Sequence, residues 1–312
     1  MKPVFIVLIV IAVILGGVFL TIGLVNRSKS GAIITNTHEI DGTFNNLNID
    51  LATAALEIKV AEGDKVRVVC DEKEKVYHNV SVIDNALTIK VEDVRKWYEK
   101  LLFSLRRMKV TAYLPEGLYG NLVIDSAIGG VNVAEQLSFN NITVDIATGN
   151  VEINSNVSEI IKIEGATGNV NINNIVAKSV DIDTSTGSVT LSKVNITDNI
   201  EIDCSTGKIT LTDTTCKNLK IDVTTGETKL IRTVVVERIK ADASTGNIIF
   251  DKSDAATLDI ETTTGSIKGT LLTAKIFQAM SDTGKINVPN ATAGGVCRLK
   301  TTVGSINIQV IG

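Results

Sequence analysis

Residues that commonly carry catalysis are sparse in this chain. It has two histidines in 312 residues, His38 and His78, and neither lies in the repeats that fill most of the sequence. No G-x-S-x-G elbow, H-E-x-x-H zinc signature or Walker loop is present. The four cysteines, Cys70, Cys204, Cys216 and Cys297, form no C-x-x-C pair. They fall at different phases of the repeat and read as small buried hydrophobes. Aromatic residues make up only 4% and prolines number three. A formal net charge of −4 gives no reason to expect nucleic-acid affinity. No enzymatic activity, cofactor or disulfide framework is expected.

Val, Ile, Thr, Asp, Asn and Gly dominate instead, a vocabulary of strands and turns. The apolar fraction of 44% is regularly spaced, which excludes a disordered chain. The stretch VDIDTSTGSVTL (180–191) returns with variation as LKIDVTTGETKL (219–230) and LDIETTTGSIKG (258–269). Aligned on one glycine, the copies mark Gly129, Gly149, Gly168, Gly187, Gly207, Gly226, Gly246, Gly265, Gly284 and Gly304. Successive gaps are 19 or 20 residues. Apolar residues stand seven and five positions before each glycine and two and four after it, broken only by Thr228 and Gly269, with polar residues between. Such alternation predicts two short strands per copy, joined at a glycine turn. A single copy cannot bury its apolar face, whereas stacked copies cover one another. The expected fold is an all-β, right-handed parallel β-solenoid of about ten rungs, about 4.8 Å apart. LNIDLATAALEIKV (47–60) reads as a degenerate first copy. The variable residues between copies are expected to form return loops, where solenoids often carry function.

The chain divides into an anchor (1–30), a cap with the degenerate rung (31–120) and the solenoid (121–312). Residues 3–25 carry no charge and are long enough to span a bilayer. A cleaved signal peptide would have a shorter core and a small-residue cleavage site, so an uncleaved single-pass anchor is preferred. Flanking positive charges are nearly balanced and do not set the orientation. An exported domain is expected, because a single N-terminal anchor usually exports the large domain attached to it. Between Val66 and Pro115 the period is lost, and antiparallel capping strands are expected. Within that segment, residues 92–108 place Val94, Trp97, Leu101, Leu105 and Met108 on one helical face, with five basic residues around it. This reads as a short capping helix, with a membrane-surface helix as the alternative.

One column is acidic in eight consecutive copies, four before the glycine: Asp125, Asp145, Glu164, Asp183, Asp203, Asp222, Asp242 and Glu261. Alternation turns it outward. Neighbouring carboxylates at rung spacing repel by about 1 kcal/mol in water. Divalent cations could offset this, with Asp183, Asp203, Asp222 and Asp242 as candidate ligands. Hydrogen bonds from the following turn, helped by Lys162, Lys220, Lys240 and Arg298, are the preferred explanation. A threonine column precedes the glycines and suggests hydroxyls bonded from rung to rung. The adjacent column (Ile146, Gly165, Cys204, Val223, Ala243) lacks the second row of threonines that ice binding requires.

The repeat I-D-x-[ST]-T-G-x-[IV] and the lead-in FNNLNIDLATAALEIKV resemble the bacterial "putative adhesin" family, found mainly in Gram-positive bacteria. That resemblance spans 44–308. It implies a cell-surface location, a link to envelope stress and no catalytic residue. Partners consistent with it are the membrane, through the anchor, and an envelope protein or glycan. Self-association end to end, as in bactofilins, is a second expectation, because the chain closes on the strand SINIQVI without a charged cap. A polysaccharide-active β-helix enzyme is a third reading.

Overall fold

The computed structural model describes residues 33–96 and 108–311. The predicted anchor, and most of the predicted helix at 92–108, lie outside the described residues. No helix among the described residues is long and apolar enough to cross a membrane. Those residues form one β-solenoid without helix. All rung-to-rung pairing is parallel, so Ile163 lies on Ile182 and Ile182 on Ile202, and the register shifts only between Cys216 and Asn218, Val235 and Arg238, and Phe250 and Ser253. Inward residues are sealed: Ile163, Ile182 and Ile202 are 0% exposed, as are Ile172, Leu191 and Leu211 on the strand after the turn. The hydrophobic contribution is thus built rung by rung, because each Val, Ile or Leu loses water only when its neighbour is laid on it.

The segments between copies are not simple loops. They pair from rung to rung and carry their own inward residues. Ile175 and Ala177, Val194 and Ile196, Cys216, Val235 and Ala255 are all buried there. Both outward and inward positions vary, the inward ones from Ile175 and Val194 to Thr214, Thr233 and Ser253, which explains why the segments look irregular in sequence. A second corner follows six residues after the glycine. Asn174, Lys193, Asp213, Arg232 and Lys252 all hold positive φ there, between 46° and 54°.

Both ends depart from simple winding. In the N-terminal region the strands are β1 (Ile34–Ile40), β2 (Asn46–Leu51), β3 (Ala54–Val60), β4 (Val66–Glu72), β5 (Val76–Ile83), β6 (Ala86–Asp93), β7 (Met108–Leu114), β8 (Gly117–Ile128) and β9 (Val131–Val133). The degenerate rung β2–β3 stacks on β8–β9. On its other side lie β6 and β7, also parallel. The expectation that periodicity ends between Val66 and Pro115 is therefore corrected: β6 and β7 form a further rung. Only β1, β4 and β5 are antiparallel; β5 caps β6, β4 caps β7 and β1 lies on β4.

At the other end the last two rungs exchange places. Strand Gly295–Val303 pairs with Leu258–Thr264 on one side and with Lys275–Thr283 on the other. Ile306–Val310 likewise lies between Ile267–Leu271 and Ile286–Asn287. The spatial order of glycines is thus 265, 304, 284, not the order of the chain. SINIQVI is therefore covered in part, with Ile306 and Asn307 paired on both sides and Ile308–Val310 on one. The outermost rung is that of Gly284, which explains why Met280 (59%) and Ile286 (46%) are exposed. A buried ion pair ties it down. Lys275 Nζ lies 2.7 Å from Asp254 Oδ1, with the side chains 3% and 8% exposed, and Thr273 donates to the same carboxylate at 2.6 Å.

Candidate functional site

The outward acidic column is longer than the repeat motif indicates. Asp50 of the degenerate rung pairs with Asp125, and the register continues through Asp145, Glu164, Asp183, Asp203, Asp222, Asp242 and Glu261. A lysine closes each end: Lys90 pairs with Asp50, and Lys300 with Glu261, at 2.5 Å between Nζ and Oε1. Sequence alignment on the glycine misses this closure. The β2–β3 rung lacks its glycine, and Lys300 meets Glu261 only because the last two rungs are exchanged.

Lysines two residues earlier in the chain screen part of the column. Lys162 lies 2.7 Å from Glu164, Lys220 3.2 Å from Asp222 and Lys240 3.0 Å from Asp242. Lys220 also reaches Glu201 of the preceding rung, and these carboxylates hold its ammonium well above the usual lysine range. Arg298 instead donates to Gln278. The expected bonds from turn amides to the carboxylates are not formed among the described residues. Those amides already bond along the stack, as Gly187 N–H does to Thr206 O at 2.9 Å. The threonines likewise join rungs through backbone carbonyls, and Val303 interrupts their column between Thr264 and Thr283.

Three carboxyls of the column keep their protons more readily than usual, two of them, Asp50 and Asp203, against the pull of a nearby lysine, Lys90 and Lys220. Partial burial and then Asp125 raise the pKa of Asp50; partial burial, Asp125 and Glu164 raise that of Asp145. Partial burial, followed by Asp183 and Asp222, raises that of Asp203, with Lys220 opposing. Residues Asp203, Asp222, Lys240, Asp242, Asp259 and Glu261 line an open groove on this face. Among the described residues the column does not draw three ligand atoms close enough to hold a metal; Asp183, Asp203, Asp222 and Asp242 stand in a row rather than around a point. The face suits binding of an extended or multiply charged surface.

The cysteines are free and buried, and burial pushes the thiols of Cys70, Cys216 and Cys297 up to about 12. Three serve as packing. Cys70 differs, because the cap brings it together with Glu72 and both histidines. Sequence reading missed this group, since its members are on three strands. A C-x-E pair flanked by the chain's two histidines was the available signal, and the antiparallel β1–β4 pairing is what closes it.

The pattern of the toastrack family, "Toastrack DUF4097", matches residues 44–233 and 189–312, and the chain belongs to this family. Two solved structures share its fold. One, described as a putative adhesin from Parabacteroides distasonis, is 18% identical with a TM-score of 0.56, covering 77% of this chain and 98% of that one. The other, a putative adhesin from Parabacteroides merdae, is 17% identical with a TM-score of 0.50, covering 77% and 96%. No curated protein matches the chain.

Proposed function

We propose that this protein is a non-catalytic, adhesin-like binding module displayed at the cell surface. The residues 3–25 anchor it in the membrane, and the solenoid faces the extracytoplasmic side. The observation that carries this reading is the outward carboxylate column, closed at both ends by lysine, on a rigid rod of the toastrack family. Fixed rung spacing presents charge at regular intervals, which suits a partner with repeated cationic or hydroxyl groups, an envelope protein or a glycan. Sensing of envelope stress would follow if occupancy of that face altered the anchored chain.

Two measurements test it. Protease added to intact cells should cleave the solenoid; full protection would refute surface display. The purified chain should bind isolated envelope material, and Asp183→Asn with Asp203→Asn should weaken that binding. Equal binding by the double variant would remove the acidic face from the proposal.

A second reading is end-to-end self-association. It draws on the Gly284 rung, whose strand Lys275–Thr283 is unpaired on one side and exposes Met280 and Ile276. Sedimentation across a concentration series tests it, and a monomer throughout refutes it.

A further inference from the structure

We propose that the cap holds a transition-metal ion of the zinc class, bound by His38, Cys70 and Glu72 with His78 completing the set. Backbone pairing sets the arrangement. Asn36 lies opposite Cys70 and Ile34 opposite Glu72 in the β1–β4 ladder, so Asn36, His38, Cys70 and Glu72 share one face. The ligand atoms of His38, Cys70 and Glu72 all lie within 4.8 Å of one another, the one such group among the described residues. His78 Nδ1 is 3.4 Å from Glu72 Oε1. That is close to the edge of a tetrahedron built on metal–ligand bonds of about 2.1 Å, roughly 3.4 Å. Closing the His38, Cys70 and Glu72 pairs from at most 4.8 Å to such an edge takes up to about 1.4 Å, and His78, which stands outside that group, must swing further in.

A second observation points to a ligand independently. Nε2 of His38 and both ring nitrogens of His78 are buried without a hydrogen-bond partner among the described residues. The His78 side chain is 0% exposed, and its approach to Glu72 lacks the alignment of a hydrogen bond. Buried polar atoms of this kind are ordinarily satisfied. Glu72, by contrast, is already oriented: the His78 backbone N–H donates to Oε1 at 2.6 Å, and the Asn36 amide donates to Oε2. Thiolate, imidazole and carboxylate together are the ligand mixture of zinc and cobalt, whereas calcium and magnesium take oxygen alone. On binding, the Cys70 thiol loses its proton to solvent and no redox change occurs. His38 is half-buried and β1 is an edge strand, which gives the ion its way in.

This proposal is independent of the adhesin-like reading. The test is titration of the purified full chain, after treatment with chelator, with Co²⁺ and then Zn²⁺. We expect one equivalent of Co²⁺ with a thiolate-to-cobalt charge-transfer band, displaced by Zn²⁺, and a rise in Tm with Zn²⁺. Cys70→Ser should abolish the band. His38→Gln should weaken Zn²⁺ binding by more than the roughly 10–100-fold cost of losing an outer partner, and Asn36→Ala should fall within that range. Cobalt bound without the thiolate band, as the acidic column would bind it, overturns the proposal. So does absence of saturable binding, or an unchanged band in Cys70→Ser. If a variant fails to fold, the wild-type band and the Zn²⁺ dependence of Tm decide alone.

Discussion

Replacing Gly187 by alanine should be among the most damaging single-methyl additions the rod can receive. An ideal Cβ at that position would stand 1.8 Å from the carbonyl oxygen of Gly168 and 2.5 Å from its carbon. A carbon–oxygen contact needs about 3.3 Å, so the two rungs would have to part by about 1.5 Å at this corner. Two backbone bonds flank the contact, Gly168 N–H to Thr186 O and Val170 N–H to Ser188 O, each 2.9 Å. Parting the rungs breaks both, at about 1 kcal/mol each. The φ of +147° adds about 1–3 kcal/mol for any residue with a Cβ. The sum is a loss of about 3–5 kcal/mol. Urea unfolding of the purified chain followed by circular dichroism measures it. Because rungs are held by nearest neighbours, the variant should also unfold in two stages, one for each side of the defect. Gly117→Ala is the control: nothing lies within 4 Å of its Cβ, and its effect should stay within about 0.5 kcal/mol. A Gly187→Ala variant less than about 1 kcal/mol below the parent would refute the reasoning.

Lys275→Met leaves Asp254 buried without its cation and should cost about 3–5 kcal/mol, whereas Lys275→Met with Asp254→Leu should recover most of it; thermal unfolding of both compares them. Asp203→Asn should stabilise the chain by a few tenths of a kcal/mol at pH 7, an exposed charge being largely screened. The sign follows from its raised pKa: the ionised form opposes folding, so the native state gains relative stability as pH falls through the folded-state value. The advantage of the variant should therefore vanish in acid and shrink in high salt; an advantage that persists in both would refute the repulsion. Lys193→Gly relieves a positive φ of 54° and should gain about 0.5 kcal/mol, the αL cost exceeding the entropy cost of glycine; a loss in urea unfolding would contradict this.

Much of the fold is legible because a solenoid writes its contacts into its period. Ile163, Ile182 and Ile202 occupy one column in the sequence and one column in space. The same logic fails wherever sequence order and spatial order part. Nothing local tells Gly304 to stack on Gly265 instead of Gly284; that is settled by what covers the last rung, including the Lys275–Asp254 pair. The β6–β7 rung was hidden because fourteen residues of sequence separate its two strands where the other copies have a short glycine turn. The acidic face was legible through its period, but its lysine ends were not. The cap group was not legible at all, since periodicity is silent about residues that occur once, and His38 meets Cys70 only through an antiparallel pairing without a repeat.

The placing of both chain ends one rung inward bears on how the rod carries load. A pull from the N-terminal side must first strip β1 from β4. It then meets β2 and β3, gripped by rungs on both faces. A pull at the C-terminal side first strips Ile308–Val310 from Gly269–Leu271 and then meets Ile306 and Asn307, gripped on both faces. At either end a short single ladder yields first, and the next residues can leave only by shearing two ladders at once. A chain wound in simple order would instead peel one strand at a time from its tip.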